Sequence, residues 1–205
     1  AKPGCALILA AGRGKRMKSQ HVKLLHPGAG SPMICHVARA AASLSPAILG
    51  AVVGNQASEV TAALASDGFA ARTGMRFVTQ EPQLGTAHAV LQAEPLFSGV
   101  RRRGLLLILN GDVPLIRAST LRALVRHHRR TGASATVLTT EVDDPSGYGR
   151  VVRDAGGALV SIVEDGDATA AQKRITEISA GLYCADMSVV FAALRGTGRG
   201  NAQGE

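Results

Sequence analysis

Two glycines and four cations follow the first apolar run of this chain. In CALILAAGRGKRMK (residues 5–18) the run Cys5 to Ala10 stops at Gly12 and Gly14, and Arg13, Lys15, Arg16 and Lys18 crowd the same turn. Glycine lets a backbone come close to a ligand because no Cβ intervenes, and that density of positive charge calls for an anion. Neither complete phosphate fingerprint is present: Met17 replaces the third glycine of G-x-G-x-x-G, and G-x-x-x-x-G-K-[ST] is absent. The stretch reads as a phosphate cradle of another kind, the plain alternative being a glycine turn with a solvated basic edge.

Other residue types point to the same chemistry. Lys23, between the glycine loop and the Pro27-Gly28 turn, can fold back toward the cradle. Asp112, in NGDVPL just past the run GLLLIL, is a carboxylate suited to a hard cation such as Mg²⁺ on a polyphosphate, although Asp and Pro also simply make turns. Gln80, Glu81 and Gln83 precede Gly85 and Thr86, where carboxamides either pair with a base edge or cap a turn. Glu164, Asp165 and Asp167 form a later acidic loop, for sugar hydroxyls or for solvent. His21, His26, His127 and His128 lack carboxylates at metal or triad spacing, and no chemistry is assigned to them.

Positioning such residues needs strands that end together. Apolar runs at 5–10, 48–53, 75–78 and 104–109 read as buried strands, the last the most apolar and so central. Helices are expected at 32–44, with Ser31 as N-cap and Pro32 in the first turn, and at 58–65. A third, at 87–93, would be capped by Thr86, and a fourth opened by Ser119 or Thr120, with Leu121, Leu124, Val125 and His128 buried. From Ala133 short strands (135–140, 150–153, 158–163, 178–184) alternate with turns such as DDPSGYGR and DAGG, the latter a hairpin signal. In a doubly wound sheet, ligands gather beyond the carboxyl ends of the strands. The expected fold is α/β, a Rossmann-like, mostly parallel sheet over residues 1–132 with a smaller mixed-sheet lobe over 133–205. The tail RGTGRGNAQGE is Gly-rich.

Composition narrows the classes. At 205 residues the chain can bury one substantial core; 46% hydrophobic and 19% charged residues are globular values. Aromatics are only 3%, which suits Val, Ile, Leu and Ala packing around a parallel sheet. The net charge of +8 fits a small polyphosphate, whereas scattered cations and few stacking rings argue against nucleic acid. Cys5, Cys35 and Cys184 make no C-x-x-C pair and are expected to be inert thiols of a cytosolic protein. No signal peptide is apparent and no apolar run approaches the ~20 residues of a membrane span.

LAAGRGKRM, VKLLH, QLGTAHA, NGDVPL, DDPSGYGR, IVEDGDAT and NAQGE occur in that order. Together they closely resemble the uridyltransferase domain of the bacterial bifunctional N-acetylglucosamine-1-phosphate uridyltransferase / glucosamine-1-phosphate acetyltransferase. The resemblance implies a nucleotidyltransferase fold that makes UDP-N-acetylglucosamine and pyrophosphate from UTP and N-acetylglucosamine 1-phosphate, for cell-wall precursors. It implies that Leu9, Ala10, Ala11, Gly12 and Gly14 hold the nucleotide, and that Gln80, Gly85 and Thr86 read the uracil. Asp112 would carry Mg²⁺ with Asn110 and Gly111 beside it; Arg16, Lys23 and Asp112 would form the catalytic set. Gly149, Glu164 and Ser179 would contact the sugar.

Three departures bear on these expectations. EISAG stands where the family shows E-I-N-T-G, so Ser179 replaces an Asn. The chain stops at NAQGE, before the Tyr-Tyr-x-Thr-Asp segment and the later Asn that completes the family's metal site. The β-helix with acetyltransferase activity and the trimer interface is absent, so a monomer or weak oligomer is expected. The competing readings are a nucleotidyltransferase for another sugar phosphate or base and a binding-only UDP-sugar domain, with a nucleic-acid binder weakest.

Overall fold

The computed structural model describes residues 4–12, 23–54, 56–100 and 104–196. In chain order these form β1 (Cys5–Ala10), the short pair β2 (Pro27–Gly28) and β3 (Ser31–Pro32), α1 (Met33–Ala42), β4 (Ile48–Val53), α2 (Ala57–Ala65), α3 (Phe69–Thr73), β5 (Arg76–Thr79) and α4 (Gly85–Gln92). There follow β6 (Leu105–Asn110), α5 (Ala118–Thr131), β7 (Ala135–Glu141), β8 (Arg150–Arg153), β9 (Leu159–Val163), β10 (Glu177–Asp186) and α6 (Met187–Arg195). Their described residues divide into two compact units, one of those up to Thr136 together with residues 183–196, the other Val137–Leu182. Residues from Tyr183 through α6 thus belong with the first unit.

The first unit is built on parallel strands in the order β5-β4-β1-β6. β4 is buried at every position and β1 at all but Leu9, which is why both read as unbroken apolar runs. Side chains alternate across the sheet. Cys5 and Leu7 of β1 and Leu106 and Ile108 of β6 share one cluster with Ala89 and Val90 of α4 and Met187 and Phe191 of α6. Burying a side chain such as Leu7 or Leu106 (0% exposed) contributes about 1.5–3 kcal/mol. α1 buries Ile34, Cys35, Val37, Ala38 and Ala41, and α5 buries Leu121, Leu124, Val125 and His128. Packing also silences the thiols: burial pushes Cys5 up to about 11 and Cys184 up to about 12, and Cys5, Cys35 and Cys184 are in no disulfide.

Helix starts depart from the expected caps. α1 begins at Met33 with Pro32 as its N-cap, and Ser31 lies in β3, where its hydroxyl accepts from Arg39 Nη1 at 3.1 Å. α4 begins at Gly85, so Thr86 is inside the helix, and α5 begins at Ala118 after Arg117, ahead of Ser119 and Thr120. None of these three helices has a side-chain cap bond. Backbone position, set by the strand ends before them, fixes where they start.

The strands of the second unit pair antiparallel, with β8 between β9 and β10. β8 pairs with β9 through Arg150↔Val163 and Val151↔Ile162, and with β10 through Ile178↔Arg150. The DAGG hairpin forms as expected: the Asp154 N–H donates to Ala158 O at 3.0 Å and the Gly157 N–H to Asp154 O at 3.0 Å. Arg153 grips Glu177 through Nε at 2.8 Å and Nη2 at 2.7 Å, tying β8 to β10. These bonds, with a further one from Thr139, hold the Glu177 carboxyl at about 2 instead of its ordinary 4.5. A depressed folded-state value stabilises the fold above 4.5, and that stability is lost as pH falls toward 2. Acid titration of the chain should therefore show a loss of stability across this window that Glu177→Gln flattens. An unchanged acid limb in the variant would remove the pair from the account.

Candidate active site

Neighbouring strands β1 and β6 deliver their loops side by side. Leu9 registers with Asn110, and the Gly111 N–H donates to Leu9 O at 3.0 Å. Leu9 is half-buried in β1, Ala10 and Ala11 are buried, and Gly12 is exposed just beyond them. Asn110 closes β6; Gly111 is buried where a Cβ would lie 3.0 Å from Leu9 O and 3.3 Å from a Leu24 methyl. That close fit leaves Asp112 at the lip. Its Oδ2 accepts from Lys23 Nζ at 2.5 Å, bringing together two predicted residues 89 positions apart. The side chains are 36% and 32% exposed, so the pair adds only about 0–1 kcal/mol of stability. Gly14 and Arg16 lie outside the described residues.

The loop after β5 closes the group. The Gln80 N–H donates to Val53 O at 2.8 Å, continuing the sheet. The Gln80 side chain is buried, 3% exposed, and its Nε2 donates to Gly85 O at 2.8 Å. Gly85 opens α4, and Thr86 is exposed in the first turn. Gln83 reaches back across the strand ends, its Nε2 donating to Ala11 O at 2.7 Å. Loops after β1, β5 and β6 are thereby bonded into one rim, with Gly54 after β4 beneath it.

Gly54 belongs to this rim although sequence reasoning gave it no site role, and Gln83, a carboxamide considered for a base edge, spends its Nε2 on the Ala11 carbonyl. A Cβ at Gly54 would come 2.1 Å from Gln83 Nε2 and 2.7 Å from Ala11 O. The amide can swing away, but the Ala11 carbonyl belongs to the strand end and must move. Gly54→Ala should cost about 1–3 kcal/mol of stability, measured by urea denaturation, as overpacking does. Unchanged stability would show the rim to be looser than its distances. The available signal was a glycine ending an apolar run, as Gly12 does after β1.

The second unit gathers its own three predicted residues. Gly149 is buried ahead of β8, and its carbonyl accepts from the Ser179 N–H of β10 at 2.9 Å. A Cβ there would lie 3.2 Å from Glu164 Oε1, so the exposed Glu164 carboxylate leans over Gly149. Ser179 Oγ accepts from the Gly181 N–H at 3.3 Å. Arg150, 2% exposed, donates to Asp165 Oδ1 at 2.8 Å and to Tyr148 O, bracing the turns on either side of Gly149 and Glu164.

Among the described residues no group of three or more His, Cys, Asp or Glu side chains could hold a metal unaided. One carboxylate, Asp112, beside the expected phosphate cradle nevertheless fits Mg²⁺, which usually takes one or two carboxylates with substrate phosphates and water. No described helix is long and apolar enough to cross a membrane.

Residues 5–205 match the nucleotidyl transferase family. The chain belongs to that family. Over 200 residues, 98% of its length, it is 46% identical to the bifunctional protein GlmU of Listeria welshimeri. The corresponding values are 45% for the protein of that name in Geobacter metallireducens and 47% for that of Pelotomaculum thermopropionicum. The resemblance read from the motifs is borne out. The chain spans about two fifths of the length of these relatives (42%, 40% and 42%). Its fold is that of a UDP-glucose pyrophosphorylase crystallised with UDP-glucose, at TM-score 0.76, 17% identity and coverage of 97% of this chain and 81% of that one. A glucose-1-phosphate thymidylyltransferase structure from Bacillus anthracis, with sucrose, matches at TM-score 0.74 and 22% identity, covering 90% and 72%. The expected α/β fold with a mostly parallel central sheet is the fold found.

Proposed function

We propose that this chain transfers a uridylyl group from UTP to N-acetylglucosamine 1-phosphate, giving UDP-N-acetylglucosamine and pyrophosphate for cell-wall precursor synthesis. The observation that carries the reading is the Lys23–Asp112 pair at the joined ends of β1 and β6, in a chain 46% identical to a protein named GlmU. In the transfer, a phosphate oxygen of the sugar phosphate bonds to the α-phosphorus of UTP. The bond from that phosphorus to the α–β bridging oxygen breaks, and pyrophosphate leaves with the electron pair.

Such transfer needs positioning and charge neutralisation more than covalent help. The backbone from Leu9 to Gly12 faces the nucleotide, and Gly12 and Gly14 let the phosphates approach without a Cβ in the way. The Lys23 ammonium, and Arg16, offset the phosphate charge, with Asn110 and Gly111 lining the same rim. Gln80, Gly85 and Thr86 address the uracil; Gly149, Glu164 and Ser179 address the sugar. Asp112 would hold Mg²⁺, which supplies Lewis-acid polarisation of phosphate oxygens when bound. Serine at 179 lacks the amide of Asn, which leaves a water to bridge to the sugar.

Calorimetric titration tests the assignment of ligands. UTP should bind at least tenfold more tightly than CTP, ATP or GTP, and UDP-N-acetylglucosamine more tightly than UDP-glucose. Equal affinity across the triphosphates would contradict the uridine assignment, and preference for UDP-glucose the sugar.

A further inference from the structure

Resting on that functional reading, we propose that His88 is a positioning residue for base selection: it locks the Gln80 carboxamide so that only the carbonyl oxygen faces the base. Gln80 Nε2 lies 2.8 Å from Gly85 O and 3.0 Å from His88 Nδ1, and His88 Nε2 lies 3.1 Å from Gln92 Nε2. One backbone group orients this whole chain of contacts. Gly85 O accepts only, so the Gln80 group facing it is the NH₂. That same NH₂ meets His88 Nδ1, which must then be the bare, accepting nitrogen of the ring. The proton of neutral His88 therefore sits on Nε2; to accept it, the Gln92 amide, which places Nε2 toward the ring, turns over and presents Oε1 instead.

With both amide hydrogens engaged, Gln80 offers a base nothing but an acceptor. The group is 3% exposed and lies where β5 ends and α4 begins, so it has little room to turn over. An acceptor at this point matches the imide N3–H of uracil. Cytosine has an unprotonated N3, and placed the same way it sets one lone pair against another. Buried polar sites reject a mismatched partner far more strongly than apolar ones do, because the unpaired group stays desolvated. Specificity for uracil then depends on the tautomer of a histidine in the first turn of α4, eight residues along the chain from Gln80.

His88→Ala leaves the Gly85 carbonyl as the one hold on the Gln80 NH₂ and releases its second hydrogen, so the carboxamide can turn its NH₂ toward cytosine N3, whereas His88→Asn keeps an acceptor oxygen near the place of Nδ1. In calorimetric titrations the UTP-over-CTP affinity ratio should fall at least tenfold in His88→Ala and stay within threefold of the parent in His88→Asn. Equal weakening of UTP and CTP in His88→Ala, with the ratio unchanged, would mark a merely structural residue and overturn the proposal. A second readout needs no variant: ¹⁵N NMR of the parent chain should show His88 as the Nε2–H tautomer. An Nδ1–H tautomer would overturn the proposal even if His88→Ala failed to fold. If the parent shows no preference for UTP, the functional reading fails instead, and the tautomer still reports on the orientation of Gln80.

Discussion

Asp112→Asn should lower turnover at least 100-fold while the chain remains folded. The substitution removes one charge and almost no volume. Asn keeps a carbonyl oxygen for Lys23 Nζ, which lies 2.5 Å from the carboxylate in the parent. Lys23 and Asp112 are 36% and 32% exposed, so the lost ion pair costs at most about 1 kcal/mol of stability. Charge at the reacting phosphates is a different matter. Removing a single preorganised group that stabilises developing charge typically costs about 10²–10³ in rate. Thermal unfolding and pyrophosphate release on the same preparation separate the two effects, and a Mn²⁺ titration followed by water relaxation reads the metal directly. Rates and metal affinity equal to the parent would remove Asp112 from the reaction.

Gly149→Ala should raise the KM for the sugar phosphate at least tenfold and leave the KM for UTP unchanged. The new Cβ would sit 2.9 Å from Ile162 Cγ2 and 3.2 Å from Glu164 Oε1. Relief by a shift of the strand is opposed on both sides. Gly149 O is held by the Ser179 N–H, and the next residue, Arg150, is anchored to Asp165 and Tyr148. The Glu164 carboxylate is the part that can move, so the proposed sugar contact absorbs the misfit. Overpacking brings its own loss of about 1–3 kcal/mol, which urea denaturation measures apart from kinetics. A parental KM for the sugar phosphate would show that Glu164 and Gly149 do not address it.

Strands were legible because burial on both faces writes itself as an apolar run, as in CALILA and ILGAVV. Helix starts were not, since Pro32, Leu84 and Arg117 precede them without side-chain caps and the preceding loops decide. α6 escaped notice because MSVVFAALR follows directly on β10, and an apolar stretch continuing a strand has no boundary a period can find. Lys23 and Asp112 stood out by residue type and by their place in the loops. Their meeting depends on β1 pairing with β6, a register that sequence distance hides. The Gln83–Ala11 bond, 72 residues apart, and the Gly85–Gln80–His88 contacts are likewise products of tertiary placement.

The most direct measurement is pyrophosphate release by this chain given UTP, N-acetylglucosamine 1-phosphate and Mg²⁺. Parallel reactions would contain CTP, ATP or GTP in place of UTP, glucose 1-phosphate in place of the acetylated sugar, or EDTA. The account predicts release with UTP and the acetylated sugar phosphate alone, abolished by EDTA and by Asp112→Asn. Faster release with another nucleotide or with glucose 1-phosphate, or release indifferent to EDTA, would contradict it.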